Sequence, residues 1–486
     1  MPRPLWVRAL DAATIVALVL GSFVFFFGGF ATHVGPLRLA IHSPLRLFFM
    51  AAAAAAIRHV AHPDQPLHRR LLHALRSRRE DTPGSIAVGA LSTRIAVLLV
   101  GYLAVLTVGM SKPQVGFELS SDPIFNLPAR FDAGWYGGIA LDGYYFQGRF
   151  DRQQNVAFFP AVPFMMRAAG YFVGAFEPGV PRATRMARAL WAGVVISVLA
   201  FAWAAWYFVR LARDTIGEPH GADAVWLLAA YPFAVFFSAP YTEGVFLLGA
   251  VAAFYHFRRQ EWVSAAAWGL LVGLTRPNGC LLSVALACFT IADLWRSQIT
   301  KSPNLAVTKS PNPAITKSPN PAITKSLLSA SAPGLGMLAY SAYVHQLTGS
   351  WFGWARLHEA WGRSFQGLAP FARGFGWIED EGLLRVIATL PYDMLNALGL
   401  LFALALLWPV FRRLGLPWGV FVLVNVVPPL LAGGVLSMGR LTSTLFPLFL
   451  ALAVIVPRRA VPALVTAFAL GQGLAAVLFF TWRPLF

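Results

Sequence analysis

The sequence predicts an all-α polytopic membrane protein, and three observations carry that reading. Apolar runs long enough to cross a bilayer recur along most of the 486 residues, where a helical span needs about 20 such residues. The composition is 57% hydrophobic and only 12% charged, with a mean hydropathy of +0.61. The runs are unbroken, whereas a membrane barrel would show alternating segments of roughly ten residues. Helices are then the spanning elements, because every backbone polar group must be satisfied inside the bilayer.

The net charge of +18 does not indicate a nucleic-acid partner, because the basic residues sit in short groups between apolar runs rather than in one block. Four of the five lysines, Lys301, Lys309, Lys317 and Lys325, fall in one repeated segment. Cys280 and Cys288 lie within a single apolar run and offer neither a disulfide framework nor a zinc site, so both read as packing residues.

The first apolar run, 12 to 31, follows a basic N-terminus but lacks a small-x-small cleavage site, and reads as a retained helix. A second run covers 36 to 57. The loop after it carries Arg58, Arg69, Arg70, Arg76, Arg78 and Arg79 and is expected on the cytoplasmic side. A third run, 94 to 110, then takes the chain outward, so that Asp132 emerges on the extracytoplasmic face. Further spans are expected at 190 to 209, 223 to 238, 241 to 257, 262 to 275, 278 to 294, 327 to 346, 386 to 410, 416 to 436, 442 to 457 and 461 to 481. Every second connection among them is basic, through Arg210 with Arg213, Arg258 with Arg259, the lysine repeat, Arg412 with Arg413, and Arg458 with Arg459. That alternation gives about thirteen helices with the N-terminus inside and the C-terminus outside.

One segment resists the alternation. Counting 157 to 177 as a span would reverse every later basic loop, so 157 to 189 is expected to be amphipathic and to lie on the outer face. Its Arg167, Arg182, Arg185 and Arg188 then violate the positive-inside tendency, and a bound lipid phosphate is one cause that would account for them. Residues 300 to 326 repeat Thr-Lys-Ser-Pro-Asn-Pro-Ala-Ile with a period of eight. Proline at that frequency blocks regular structure, and a disordered cytoplasmic linker is expected. The chain thus divides into an N-terminal transmembrane hairpin with its basic loop (1–93), a first core part (94–299) that includes a catalytic loop (111–189), the linker (300–326) and the C-terminal helices (327–486).

The residues able to carry chemistry gather on the outer side of this map. In Arg130-Phe-Asp-Ala-Gly-Trp-Tyr136 a carboxylate stands among aromatics just after a span. If 132 to 143 is helical, Asp132, Trp135, Tyr136 and Ile139 share one face. Such a face suits a sugar ring, whose C–H side stacks on aromatics while its hydroxyls seek carboxylates. Equally, Asp132 could be the N-cap of an interfacial helix within an aromatic belt. Asp142 is a second acid, on a different helical face. Gln154 and Asn155 precede an aromatic and proline turn. Tyr241 and Glu243 follow a proline between two spans, where an acid near the hydrocarbon is costly. Arg276, Asn278 and Arg440 lie at helix ends, and an arginine offers paired donors to a phosphate.

Asp132-Ala-Gly-Trp-Tyr with Ile139-Ala and Gly143-Tyr, Phe158-Phe-Pro160, Ser238-Ala-Pro-Tyr-Thr-Glu243, Arg276-Pro-Asn-Gly279, Trp361-Gly-Arg363, and Arg440 with Phe446-Pro447 resemble, in order, the motifs of the PIG-V-type mannosyltransferases, membrane glycosyltransferases of the GT-C fold. The resemblance covers roughly 94 to 480 and leaves the first two spans and the repeat outside it. It implies transfer of mannose or a similar hexose from a polyprenyl-phosphate sugar to a lipid or glycan acceptor on the extracytoplasmic face. It implies Asp132 as general base, with Glu243 positioning hydroxyls and Arg276 and Arg440 receiving phosphate. Trp135, Tyr136, Asp142, Gln154, Asn155, Tyr241 and Asn278 complete the expected substrate contacts. No metal or cofactor is expected, since arginines can neutralise a phosphate leaving group. Eukaryotic members act in glycosylphosphatidylinositol-anchor assembly and have a partner subunit; short loops and abundant arginine here favour a bacterial plasma membrane. A transporter or lipid flippase is the rival reading, and an acyltransferase would draw on His358-Glu359, a pair read as structural.

Overall fold

The computed structural model describes residues 5–27, 30–34, 37–41, 43–61, 82–111, 118–300 and 321–485. The expected basic loop from Arg69 to Arg79 and repeat residues 301–320 lie outside the described residues. Among the described residues the regular structure is helical apart from one antiparallel ribbon, β1 (Phe30–Val34) with β2 (Leu37–Ile41), which pairs Phe30 with Ile41 and Val34 with Leu37. The ribbon joins α1 (Leu5–Phe27) to α2 (Pro44–Ala61), and the expected span at 36 therefore begins only at Pro44. The two helices pack together around Arg58, whose Nε donates to Asp11 Oδ1 at 3.0 Å. Arg58 thus lies buried in the last turn of α2 rather than in a loop.

The next helix, α3 (Pro83–Thr107), starts well before position 94 because Thr82 caps it, its side chain accepting from Ser85 N at 3.1 Å with Pro83 in the first turn. After it come α4 (Ala133–Asp142), α5 (Ala161–Phe172), α6 (Arg182–Ile216), α7 (Glu218–Ala230), α8 (Glu243–Arg258), α9 (Trp262–Gly273) and α10 (Leu282–Thr300). The second half holds α11 (Pro321–Thr348), α12 (Ala369–Glu381), α13 (Leu383–Thr389), α14 (Pro391–Leu414), α15 (Leu416–Gly433), α16 (Phe446–Ile455) and α17 (Val461–Phe480). The last repeat residues, 321 to 326, form the first turns of α11 instead of linker.

Among the described residues six helices are long and apolar enough to cross a membrane: Pro83–Thr107, Arg182–Ile216, Pro277–Trp295, Pro391–Leu414, Leu416–Gly433 and Arg458–Phe480. A bent pair, α7 with the 3-10 helix Pro232–Ser238, adds a seventh if it is one broken span. Two of the other runs read as spans form shorter apolar helices, α9 and α16. Large apolar side chains face outward on the long helices, including Ile95, Leu99 and Leu103 of α3 and Leu398, Leu401 and Trp408 of α14. Bilayer hydrocarbon is the solvent that tolerates such a surface.

Residues 157 to 189 divide into the short α5 and the first turns of the long α6, so the expected surface segment ends at Arg182. Their arginines find partners within the chain. Arg167 donates to Ala140 O at 3.1 Å, Arg185 to Ala175 O at 2.8 Å and Arg188 to Gly174 O at 2.7 Å, while Arg182 pairs with Asp142. Arg167 meets the C-terminal carbonyls of α4, where a cation is favoured.

At the core, α8 is buried along nearly its whole length between α6 and α9. Small residues permit this closeness: a Cβ at Gly244 would meet Ser197 O at 2.6 Å, and one at Gly249 would meet Val272 Cγ2 at 2.6 Å. Between α7 and α8 the chain turns by 79° at Pro232, freeing backbone carbonyls. Arg94, fully buried in α3, donates to Ala229 O and Ala234 O, and Gln472 donates to Ala229 O at 3.0 Å and Tyr231 O at 2.8 Å. Phe201 lies 4.7 Å from the Arg94 guanidinium carbon. The break sends residues 238 to 243 to the end of the bundle where the acids and arginines meet.

Candidate active site

Asp132 directly precedes α4, yet its side chain makes no capping hydrogen bond. Its Oδ2 instead accepts from Arg440 Nη1 at 2.7 Å, across 308 positions of sequence. Being only an N-cap is thereby answered: the carboxylate is turned away from the backbone N–H groups it would cap. The turn before it is strained, with Phe131 in the left-handed region at φ 46°. Tyr241 clamps that turn, its hydroxyl donating to Arg130 O at 3.1 Å and accepting from Asp132 N at 3.1 Å.

Arg440 continues the chain of charges inward. Its Nε stands 3.3 Å from Glu243 Oε1, out of line for a hydrogen bond, and Arg276 Nη1 donates to the same oxygen at 3.4 Å. Arg276 Nη2 donates to Thr444 Oγ1 at 2.7 Å, and its guanidinium lies 3.6 Å from the centre of the Phe246 ring. Asp132, Arg440, Glu243 and Arg276 therefore alternate in sign. Exposure also grades along them: the Asp132 side chain is 27% accessible, Arg440 16%, Arg276 8% and Glu243 2%. Burial alone would weaken the Arg440 proton affinity, but the Glu243 and Asp132 carboxylates outweigh it and raise its pKa. Glu243 Oε2 is buried with no hydrogen-bond partner among the described residues.

Local backbone explains how Arg440 reaches this place. Ser437 adopts a left-handed conformation at φ 62°, and Asn396 Oδ1 accepts from Gly439 N at 2.9 Å. Glycine at 439 lets the segment press on Phe233, against which any Cβ would clash.

One turn after Asp132, α4 contributes Trp135 and Tyr136 to an aromatic cluster. Trp135 stacks on Phe158 with ring centroids 5.7 Å apart, Trp361 meets both edge-on at 5.7 Å, and Tyr136 packs on Phe158 at 5.2 Å and Tyr241 at 5.9 Å. Burial first, then Asp132 and Glu243, push the Tyr136 hydroxyl well above its ordinary pKa, keeping it protonated. Ile139 is buried one turn further along α4, while Gly137 on the opposite side allows contact with Met186 and Leu190 of α6.

Other expected site residues take other places. Asp142 is half exposed at the far end of α4 and pairs with Arg182. Gln154 and Asn155 are buried and pin the loop after α4: Gln154 Oε1 accepts from Gln147 N at 2.7 Å, and Asn155 bridges Tyr145 N at 3.1 Å and Gly143 O at 2.9 Å. Asn278 Nδ2, in the 3-10 turn just before α10, donates to Asn425 Oδ1 of α15 at 2.8 Å.

Three groups at this end were not expected as site residues. They are Trp361, Arg363 and His358, on a turn that closes with Gly362 at φ 73°. The Trp361-Gly-Arg363 motif pointed to two of them, and His358 was met only in the His358-Glu359 pair read as structural. His358 Nε2 is buried with no hydrogen-bond partner among the described residues. Burial, then Arg363, hold its pKa down to about 4 against the pull of Asp132. Burial and Arg440 lower that of Arg363 to about 10, again against Asp132.

With this geometry in place, one comparison finds a similarity. Residues 115–345 match the family model described as Mannosyltransferase (PIG-V). Over that segment, just under half of the chain, the sequence is similar to the PIG-V-type mannosyltransferases. The matched segment holds Asp132, Glu243 and Arg276, and ends before His358, Arg363 and Arg440. No curated protein and no solved structure was found to match the chain. That similarity and the apolar helices together support a membrane glycosyltransferase.

Proposed function

We propose that this protein is a membrane glycosyltransferase that moves mannose, or a similar hexose, from a polyprenyl-phosphate sugar to an acceptor hydroxyl on the extracytoplasmic face, with Asp132 as general base. The observation that carries the reading is the Asp132 carboxylate itself: free of capping duty, partly open, fixed by Arg440 and followed one turn later by the aromatic cluster of Trp135, Phe158 and Trp361. In the step, Asp132 takes the proton of the acceptor hydroxyl while the hydroxyl oxygen bonds to the anomeric carbon. The bond from that carbon to the phosphate oxygen breaks, and its electron pair leaves with polyprenyl phosphate. An in-line attack on a β-linked donor gives an α product by inversion.

The roles of the other groups follow from their partners. Arg440 orients the Asp132 carboxylate, and Arg276 holds Glu243 against Arg440. Glu243 Oε2, lacking a partner, is placed to accept a sugar or acceptor hydroxyl. The indole face of Trp135 offers the apolar surface a hexose ring stacks on. The outer location rests on the alternation of basic loops in the sequence. Paired charges gathered at helix ends favour transfer over transport, since a transporter places such residues near the bilayer midplane.

The test is sugar transfer by purified protein supplied with polyprenyl-phosphate mannose. Asp132→Asn is expected to lose about 10²- to 10⁴-fold in turnover, the usual contribution of a general base, while remaining folded. Undiminished turnover in that variant would remove Asp132 as the base.

A further inference from the structure

If the donor carries a phosphate, the site needs a cation free to receive it. The two arginines expected to receive it, Arg440 and Arg276, are not free. Arg440 pairs with Asp132 and faces Glu243, and Arg276 is engaged by Glu243, Thr444 and the Phe246 ring. Drawing either toward a phosphate would strand a buried carboxylate, which is strongly unfavourable.

The turn from His358 to Arg363 stands between the two segments that deliver Asp132 and Arg440. On one side Trp361 packs on Trp135, one helical turn after Asp132, and on Phe158. On the other, Arg363 Nη2 donates to Leu436 O at 3.3 Å, four residues before Arg440. That carbonyl is the only hydrogen-bond acceptor of the Arg363 guanidinium among the described residues, and no carboxylate lies within ion-pair reach of it there. His358 Nε2 is buried and unpartnered on the same turn, 6.2 Å from Trp361 ring to ring. A guanidinium and an imidazole with unused donors, beside an aromatic cluster, match the two halves of a glycosyl phosphate.

We propose that the His358–Arg363 turn is the phosphate subsite of the donor, with Arg363 as its principal cation and His358 Nε2 as a second hydrogen-bonding group. The subsite rests on the donor reading above. Arg363 holds the phosphate oxygens in the ground state and meets the charge that develops as the glycosidic bond breaks. Arg440 and Arg276 then serve the two carboxylates, and the phosphate is recognised by the turn.

Steady-state kinetics on the full-length protein, with polyprenyl-phosphate mannose as donor and sugar-free polyprenyl phosphate as inhibitor, test this. Arg363→Gln is expected to raise the donor KM and the polyprenyl phosphate inhibition constant by about 10-fold or more, with the acceptor KM unchanged. Arg363→Lys, which keeps the charge, recovers part of both, and His358→Gln shifts both by a few-fold. A residue that merely secured the Leu436 carbonyl would lower kcat or stability without weakening inhibition by the sugar-free lipid. Unchanged inhibition in Arg363→Gln, or a shift confined to the acceptor, overturns the proposal. Should Arg363→Gln fail to fold, the Lys and His358 variants decide the matter by the same constants. If the wild-type chain consumes no polyprenyl-phosphate sugar at all, it is the donor reading that fails.

Discussion

Arg94 and Arg440 are both arginines enclosed by the bundle, and their surroundings differ in one respect that separates architecture from chemistry. Arg94 is answered by carbonyl oxygens and one amide: Ala229 O, Ala234 O and Gln472 Oε1, with Phe201 over its plane. Arg440 is answered by carboxylates, Asp132 at 2.7 Å and Glu243 at 3.3 Å. Carbonyls freed by a helix break need donors wherever they are buried, so Arg94 completes a fold. A single buried pair such as Arg58 with Asp11 can join two helices, but two carboxylates gathered on one arginine are more costly, so Arg440 is read as part of the candidate site.

The comparison can be broken at either end. Arg94→Met removes the side-chain donor to Ala234 O and leaves Ala229 O to Gln472 alone, so a loss on the order of 2 kcal/mol is expected. Thermal unfolding in detergent checks it, and turnover per folded molecule is expected to stay near wild type. An Arg94 variant that unfolds normally yet loses turnover would put Arg94 on the chemical side.

Tyr241→Phe sharpens the other end. It deletes the hydroxyl that joins Arg130 O to Asp132 N, a loss of about 1 kcal/mol, or a several-fold fall in kcat. The donor KM is expected to remain unchanged, since the carboxylate is merely less well aimed. A rise in KM alone would make Tyr241 a binding group.

A weaker effect is expected from His358. Its pKa near 4 in the folded protein lies below the ordinary 6.5, so the folded state binds fewer protons than the unfolded one between those values. Stability from this group is fully present above pH 6.5 and is lost as pH falls toward 4. Unfolding midpoints of His358→Gln are expected to fall less than those of wild type over that window. Equal slopes would show that His358 is not held neutral by the fold. Least of all is expected from deleting 301 to 320, which is predicted to leave turnover intact.

How much of this was legible in the sequence depended on what kind of partner each residue meets. Apolar runs gave the helical membrane class because burial in lipid acts on whole segments. Asp132, Glu243, Arg276 and Arg440 could be brought together from their motifs, and the structure draws all four into contact. Gln154 and Asn155 read as substrate contacts because a polar pair near a site looks alike whether it meets a ligand or a backbone amide. Their amide groups are taken up by the 143 to 149 loop, a pairing only the folded chain reveals. Arg94 escaped for a related reason: a span is drawn to exclude charge, so its start was set at the arginine rather than at Thr82. Span lengths failed likewise at 223 to 238, where a proline inside an apolar run bends the chain by 79° without changing its hydropathy.

The central claim is that Asp132 and Arg440 act as one unit in sugar transfer. A double-mutant cycle of Asp132→Asn and Arg440→Met, read as turnover with polyprenyl-phosphate mannose, tests it directly. The account predicts that each single variant loses about 10²-fold or more and that the double variant is scarcely worse than Asp132→Asn alone. Losses that multiply in the double variant would contradict it, since the two residues would then be acting independently.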